Sequence, residues 1–197
     1  MASGTLHKSD SQVFRAAEGE SEVARAAEML DWPLRGVIDA DPAAGVPYEA
    51  QWGIGTGPTL HYVMHGLSDS SFFFASADDP MAAASAAGLA APYLDVETFD
   101  ELLADVDRAK GLNQIGRALL RAALGAPEAV DMRLVDRISN TLRDRDPQLR
   151  EAAIWAITIQ PWTDYRLLLT KLAADDRDQR IRDLAQVVLE GYEAHLS

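Results

Sequence analysis

The sequence of 197 residues contains no cysteine. Disulfide bonds and zinc sites built on thiolates are therefore excluded, because both need cysteine side chains. A chain without disulfides is compatible with a reducing compartment, and we expect the protein to be cytoplasmic.

The chain also lacks a long apolar run and has few basic residues. Its longest stretch of small residues, 82–91, is rich in alanine, stops before Pro92 and is too short to span a bilayer. The polar residues 1–10 lack the apolar core of a secretory signal. With 18 basic against 31 acidic residues the net charge is −13, whereas surfaces that bind nucleic acid or anionic membranes need clustered cations. We therefore expect neither nucleic acid nor membrane as a partner, and a basic protein is an easier fit.

Local patterns divide the chain into a tail and two domains. Residues 1–12 are predicted to be a disordered tail, followed by a small α+β domain over residues 13–95 and a helical repeat domain over residues 96–197. In the α+β domain, residues 13–30 are rich in helix formers, with Ser21 as the cap, and residues 48–52 allow a short strand. Aromatic and β-branched residues predict further strands at 59–65 and 71–77, joined by a hairpin loop, and Asp79 is expected to cap an alanine-rich helix that begins at Pro80. The predicted fold class is α+β, with a small N-terminal helix and an antiparallel β-hairpin or meander.

Beyond Pro92 the apolar residues recur at helical spacing. Thr98 and Glu101 form a capping box for a first helix, and Pro127 and Thr163 are expected to open two more. Three partner helices alternate with these and begin near Asn113, Asp146 and Asp178. Three helix pairs are about the smallest number that can bury a continuous core in a repeat array.

The helix that begins at Asp146 carries the most specific motif. Asp146 is placed to cap it, Pro147 suits its first turn, and Leu149, Ala153 and Ala156 fall on one face. The order of Asp-Pro, an aliphatic residue, Arg and Ala resembles the second helix of a HEAT repeat.

The motif recurs in part in the neighbouring helices. Asp178 and Arg182 repeat it 32 residues later, and an alignment 34 residues earlier places Gly116 where the Arg belongs. The resemblance implies that residues 96–197 form a three-repeat HEAT-like helical array.

In HEAT proteins the second helices of the pairs line a concave surface that meets a partner. The resemblance therefore implies a partner-binding face made of the outward residues, at steps of three and four, on the three second helices. Tryptophan and arginine are common at binding hot spots, and Trp155 is expected between arginines of the neighbouring helices. The alternative is that Trp155 packs against the flank of a neighbouring helix. The predicted partner-binding residues are Arg117, Arg121, Gln148, Glu151, Trp155, Arg180 and Asp183.

Candidate chemistry elsewhere in the chain is sparse. His61 and His65 have the spacing of a zinc-binding pair on a helix, but they lie in a predicted strand, where four residues span about 13 Å. The glycines of residues 53–57 precede Pro58 and a strand, whereas a phosphate loop precedes a helix. Ser68 lacks the setting of a catalytic nucleophile. We expect no metal, no cofactor and no catalytic residues.

Three hypotheses of function follow from these patterns. The leading one is a non-catalytic, bacterial-type adaptor or inhibitor that binds another protein through the concave face of the HEAT-like array. The first alternative, suggested by the small size and the acidity, is an immunity protein that neutralises a basic toxin. The second alternative is an enzyme of the HEAT-like lyase type, which the missing cysteines and the sparse acid–base chemistry disfavour.

Overall fold

The computed structural model describes residues 6–16, 19–53 and 55–195. The chain divides into two compact units, Met1–Thr98 and Phe99–Ser197. All the described strands belong to the first unit, and helices occur in both. The α+β fold class predicted from the sequence is confirmed.

The first unit is built on an antiparallel sheet. Its neighbouring strands follow the order β1-β6-β5-β4-β3, and β2 also pairs with β6. The last four strands in sequence therefore form a meander, in agreement with the aromatic and β-branched residues of the central pair. The strands are β1 (His7–Lys8), β2 (Gln12–Val13), β3 (Leu34–Ile38), β4 (Glu49–Gly53), β5 (Thr59–His65) and β6 (Ser70–Ala77).

Part of the predicted disordered tail is paired with this sheet. Strands β1 and β2 lie antiparallel to β6, with His7 opposite Ala77 and Gln12 opposite Phe73. Strands of two residues carry no alternating pattern, so their pairing depends on the edge of β6 that they cover. The sequence does not predict β3 either, because all its side chains are exposed. Residues 1–5 of the predicted tail lie outside the described residues.

Two helices, α1 (Glu20–Met29) and α2 (Pro80–Ala90), pack against the sheet, and a short 3₁₀ turn, Ala91–Tyr93, follows α2. The side chain of Asp79 accepts hydrogen bonds from the N–H groups of Met81 and Ala82, so the predicted cap of α2 is confirmed. The core between sheet and helices contains alanines of both helices and the large side chains of Phe14, Trp52, Leu60, Tyr62 and Phe73.

Helix α1 starts later than its helix-forming residues predict. Val13 lies in β2 and the helix begins after Gly19, so the prediction of Ser21 as the cap is wrong. A Cβ at residue 19 would lie 2.4 Å from the ring of Phe14, which is fully buried. Glycine at this position therefore permits the close approach of Phe14 to the start of α1.

The second unit consists of helices in its described part. Asp146 accepts the N–H of Gln148 as the N-cap of α6, and Leu149, Ala153 and Ala156 are buried, as the sequence predicts. The helices are α3 (Phe99–Arg108), α4 (Leu112–Leu124), α5 (Met132–Thr141), α6 (Pro147–Ile159), α7 (Arg166–Asp175) and α8 (Gln179–His195).

The starts of two helices differ from the prediction. Helix α5 begins at Met132 instead of Pro127, because the side chain of Asp131 accepts the N–H of Arg133 and caps it. Val130, just before this cap, is exposed. Residues Thr163–Tyr165 form a 3₁₀ turn, and α7 begins only after it.

The loops before α6 and α8 form the same hydrogen bonds 32 residues apart. Asp144 Oδ1 accepts the N–H of Asp146 at 2.8 Å, and Asp176 Oδ1 accepts the N–H of Asp178 at 2.8 Å. Asp146 and Asp178 in turn accept the N–H two residues further on, at 2.8 and 2.9 Å. Both helices therefore begin with the same local geometry.

The arginine position of the motif differs among the three aligned helices. Arg150 of α6 and Arg182 of α8 each donate to the backbone carbonyl six residues earlier. At the aligned position of α4, a Cβ on Gly116 would lie 3.4 Å from the Cβ of Ala152 in α6. This distance is an ordinary van der Waals contact, so a small side chain would also fit between α4 and α6. The HEAT-like array itself stays a prediction.

Candidate functional site

The seven predicted partner-binding residues lie on α4, α6 and α8, and α6 packs against both of the other helices. Three of them, Gln148, Glu151 and Arg180, line one hollow between α6 and α8, whereas the two arginines of α4 do not line it. Arg117, Gln148, Arg180 and Asp183 are exposed, and Arg121, Glu151 and Trp155 are half-buried.

This polar hollow has a volume of about 210 Å³ and lies between the N-terminal halves of α6 and α8. Arg180 Nη2 is 3.8 Å from Glu151 Oε2, and Asp183 accepts a hydrogen bond from Gln179 Nε2 at 2.6 Å. These contacts are weak because the side chains are accessible and solvent screens their charges. A ligand could therefore replace them at little cost. The lining residues are Pro147, Gln148, Glu151, Asp178, Arg180, Ile181 and Leu184.

An apolar hollow of about 360 Å³ lies between the C-terminal halves of the same two helices. Val187 is 64% exposed there, and Tyr192 is buried with its hydroxyl donating to the carbonyl of Trp162 at 3.4 Å. The sequence prediction omits this hollow because it selects tryptophan, arginine and other polar residues. Thr158 and Val187 nevertheless lie on the same outward faces of α6 and α8 as the predicted residues. The lining residues are Thr158, Pro161, Thr163, Val187, Val188, Gly191 and Tyr192.

Trp155 lies between the two hollows along α6. It follows Glu151 by four residues and precedes Thr158 by three, so the three side chains share one side of the helix. The sequence allows two alternatives for Trp155, an exposed binding residue or a residue packed against a neighbouring helix. Its side chain is half-buried, which is intermediate between the two. We call this surface, from Gln148 to Thr158 on α6 and from Arg180 to Tyr192 on α8, the α6–α8 groove.

A second polar arrangement crosses the sheet of the first unit. His61 of β5 has its Nδ1 2.6 Å from Glu49 Oε1 of β4 and its Nε2 2.7 Å from Ser76 Oγ of β6. The imidazole stacks on the ring of Phe74 with centroids 4.4 Å apart. Burial lowers the pKa of His61, and the hydrogen bond and charge of Glu49 oppose this shift only in part. We call Glu49, His61 and Ser76 the His61 network.

The contacts of the His61 network are those of a catalytic triad, with Ser76 in the place of the nucleophile, His61 of the base and Glu49 of the orienting acid. A nucleophile must be reached by its substrate, but Ser76 is 3% exposed and lies inside β6, which is paired along both edges. The network therefore supports a structural role, in which one imidazole satisfies polar groups of three adjacent strands. Sequence reasoning considers His61 only as a metal ligand, because nothing local links it to Glu49 or Ser76.

His65 makes a separate contact on the same strand. Its Nδ1 lies 2.8 Å from Ser68 Oγ in the hairpin loop, and burial lowers its pKa. Within residues 6–16, 19–53 and 55–195 there is no group of three or more His, Asp or Glu residues that could hold a metal ion.

In the described part of the chain, no helix has both the length and the apolar character needed to span a membrane. Comparison with known protein families, curated proteins and solved structures finds no match for this chain.

Proposed function

We propose that the second unit is a non-catalytic protein-binding scaffold, an adaptor or inhibitor, that uses the α6–α8 groove. One observation supports this proposal. Both hollows lie on the side of α6 and α8 that the helical periodicity predicts to face outward. The predicted arginines of α4 would flank the groove if the HEAT-like array forms, and their role stays a prediction.

The chemistry of the groove favours a particular kind of partner segment. Its polar end is lined by the carboxylates of Glu151 and Asp178 and by one guanidinium, that of Arg180. Its other end is lined by valines and Tyr192. Glu151 and Thr158 are seven residues apart, or about 10 Å along a helix. A segment with a basic side chain about 10 Å from an apolar one matches both ends, for example at positions i and i+7 of a helix.

The immunity hypothesis is a special case of this proposal. A basic toxin would be attracted by the net charge of −13 and by the acidic end of the groove. The identity of the bound protein, and not the position of the groove, distinguishes a toxin from any other basic partner.

Site-specific photocrosslinking tests the proposal. A benzophenone amino acid is introduced at Val187, and the matched control carries it at Leu167 of α7, which is 81% exposed and lines neither hollow. On irradiation in cells of the source organism, we expect a discrete adduct from position 187 and none of that size from position 167. Glu151→Lys should weaken the adduct of a basic partner. Equal adducts from both positions, or none from either, would contradict the proposal.

A further inference from the structure

An open cleft of about 550 Å³ lies at the C-terminal end of α1 in the first unit. Two indoles, Trp32 and Trp52, line it together with two carboxylates, Glu28 and Asp31. The cleft is separate from the α6–α8 groove in sequence and belongs to the other unit. We call it the α1 cleft.

The last turn of α1 holds one side of the α1 cleft. The N–H of Asp31 donates to the carbonyl of Glu28 at 3.1 Å, and the N–H of Trp32 donates to that of Ala27 at 2.8 Å. Asp31 has φ of +56°, in the left-handed position that usually holds glycine in this type of helix ending. A carboxylate therefore stands at the rim of the cleft, where helix geometry favours a residue with no side chain.

The sheet forms the other side of the α1 cleft. Trp52 of β4 is 6% exposed and lies opposite Leu34 of β3 in the strand register. The N–H of Gly53 donates to the carbonyl of Pro33 at 3.0 Å, which fastens the segment after Trp32 to β4. The backbone segments that carry both indoles are thus hydrogen-bonded before any ligand arrives, so the backbone needs little ordering on binding.

The electrostatics of the α1 cleft favour a cation. Within the described residues, the side chains of Glu28 and Asp31 have no hydrogen-bond or ion-pair partner, and the last turn of α1 contains no basic residue. The negative end of the helix dipole points to the same place. Residues 1–95 add a background of thirteen acidic against four basic residues, a net charge of −9.

Two indoles with carboxylates around an open cleft match one ligand chemistry in particular. Indole faces attract cations, and this attraction is largest for cations that lose little hydration. A lysine ammonium is strongly hydrated and needs hydrogen-bond acceptors, whereas a methylated ammonium has a diffuse charge and an apolar surface. We propose that the α1 cleft binds a quaternary ammonium group.

Titration followed by nuclear magnetic resonance tests this proposal. The protein has four tryptophans, so four indole N–H signals are expected, and Trp155 and Trp162 of the second unit serve as internal controls. Choline should shift the signals of Trp32 and Trp52 saturably and leave the other two unchanged. The neutral isostere 3,3-dimethylbutanol should produce no comparable shift. A peptide with trimethyllysine provides a second arm, and tighter binding of the peptide than of choline would identify a protein-borne ammonium as the ligand.

Variants of the α1 cleft separate binding from folding. Asp31→Asn keeps a residue that tolerates the left-handed conformation and should weaken choline binding about threefold or more. Asp31→Gly should leave the melting temperature unchanged or raise it, and should weaken binding to a similar extent. Trp32→Ala should weaken choline binding at least about fivefold. The matched control is Asp69→Asn in the β5–β6 hairpin, where the described chain has a second aspartate with positive φ.

Two results would overturn the proposal. One is the lack of a saturable shift at Trp32 and Trp52 with choline at concentrations in the tens of millimolar. The other is an equal response to choline and its neutral isostere, because the attraction would then be apolar and not cationic.

Discussion

The guanidinium of Arg150 donates two hydrogen bonds to the carboxylate of Asp176, from Nε and Nη2, both at 2.8 Å. The side chains are 3% and 7% exposed, so the pair is almost completely removed from water. Arg150 also donates to the backbone carbonyls of Asp144 and Arg145. One buried arginine therefore joins helix α6, the loop before it and the loop before α8.

Removing one member of this pair should destabilise the second unit strongly. Arg150→Met leaves the Asp176 carboxylate buried without its partner, which typically costs about 3 to 5 kcal/mol. Urea unfolding measures the loss. The matched control is Asp107→Asn, which breaks the more exposed pair with Arg137 and should cost no more than about 1 kcal/mol. Equal losses in the two variants would show that burial of the Arg150 pair is unimportant.

The same pair predicts sensitivity to acid. Burial by itself raises the pKa of Asp176, but the hydrogen bonds and charge of Arg150 and the N–H of Asp178 outweigh burial, so the pKa is lowered. The contribution to stability is therefore present above the pKa of the unfolded chain, about 3.9, and lost as the pH falls through the folded value. Asp176→Asn should remove this part of the decline below about pH 4. An identical decline in wild type and variant would contradict the prediction.

The stability of the first unit should also depend on pH, because two of its histidines titrate differently in the folded and the unfolded chain. The pKa values of His61 and His65 are both lowered, chiefly by burial, so the unfolded chain binds more protons below about pH 6.5. Stability should be full above that pH and fall as the pH decreases below about 6.5. His61→Gln and His65→Gln should each remove part of this slope in urea melts. A slope that persists in the double variant would assign it to other groups.

Two tryptophans of the second unit should respond differently to truncation. Trp162 is 5% exposed, donates from Nε1 to the carbonyl of Glu128 at 3.0 Å and stacks on Tyr165, so Trp162→Ala should cost about 3 to 5 kcal/mol of stability. Trp155 is only half-buried, and Trp155→Ala should cost clearly less, about 1 to 2 kcal/mol. Ala153→Leu, which overpacks the buried face of α6, should cost about 1 to 3 kcal/mol. If Trp155→Ala is as costly as Trp162→Ala, Trp155 belongs to the core and leaves the predicted site.

A fragment that begins at Asp95 should fold as a helical unit. All the described strands end before this residue, and the helix caps at Asp131 and Asp146 are made by neighbouring residues. Circular dichroism should therefore show helix with little strand signal, and urea unfolding should be cooperative. A largely unstructured fragment would mean that the second unit needs the first to fold.

Much of the fold is encoded in local patterns that a reader of the sequence can find. Asp79 and Asp146 cap their helices through N–H groups two or three residues away, so the interaction lies within the pattern itself. The strands β5 and β6 are long and aromatic, and the outward side of α6 follows from the helical period. The α+β class is predictable for these reasons, whereas the partner-binding face of the helices stays a prediction.

The remaining features join residues that are far apart in sequence. Short strands such as β1 and β2 form only because β6 offers an edge, and the His61 network needs three strands in register. The α1 cleft brings Trp32 and Trp52 together through the β3–β4 pairing, and Arg150 meets Asp176 across 26 residues. Local sequence determines the caps, the helical faces and the long strands, because their interactions span a few residues. Only tertiary packing decides which of these elements meet, since the energy of each such contact is realised when both partners are already folded.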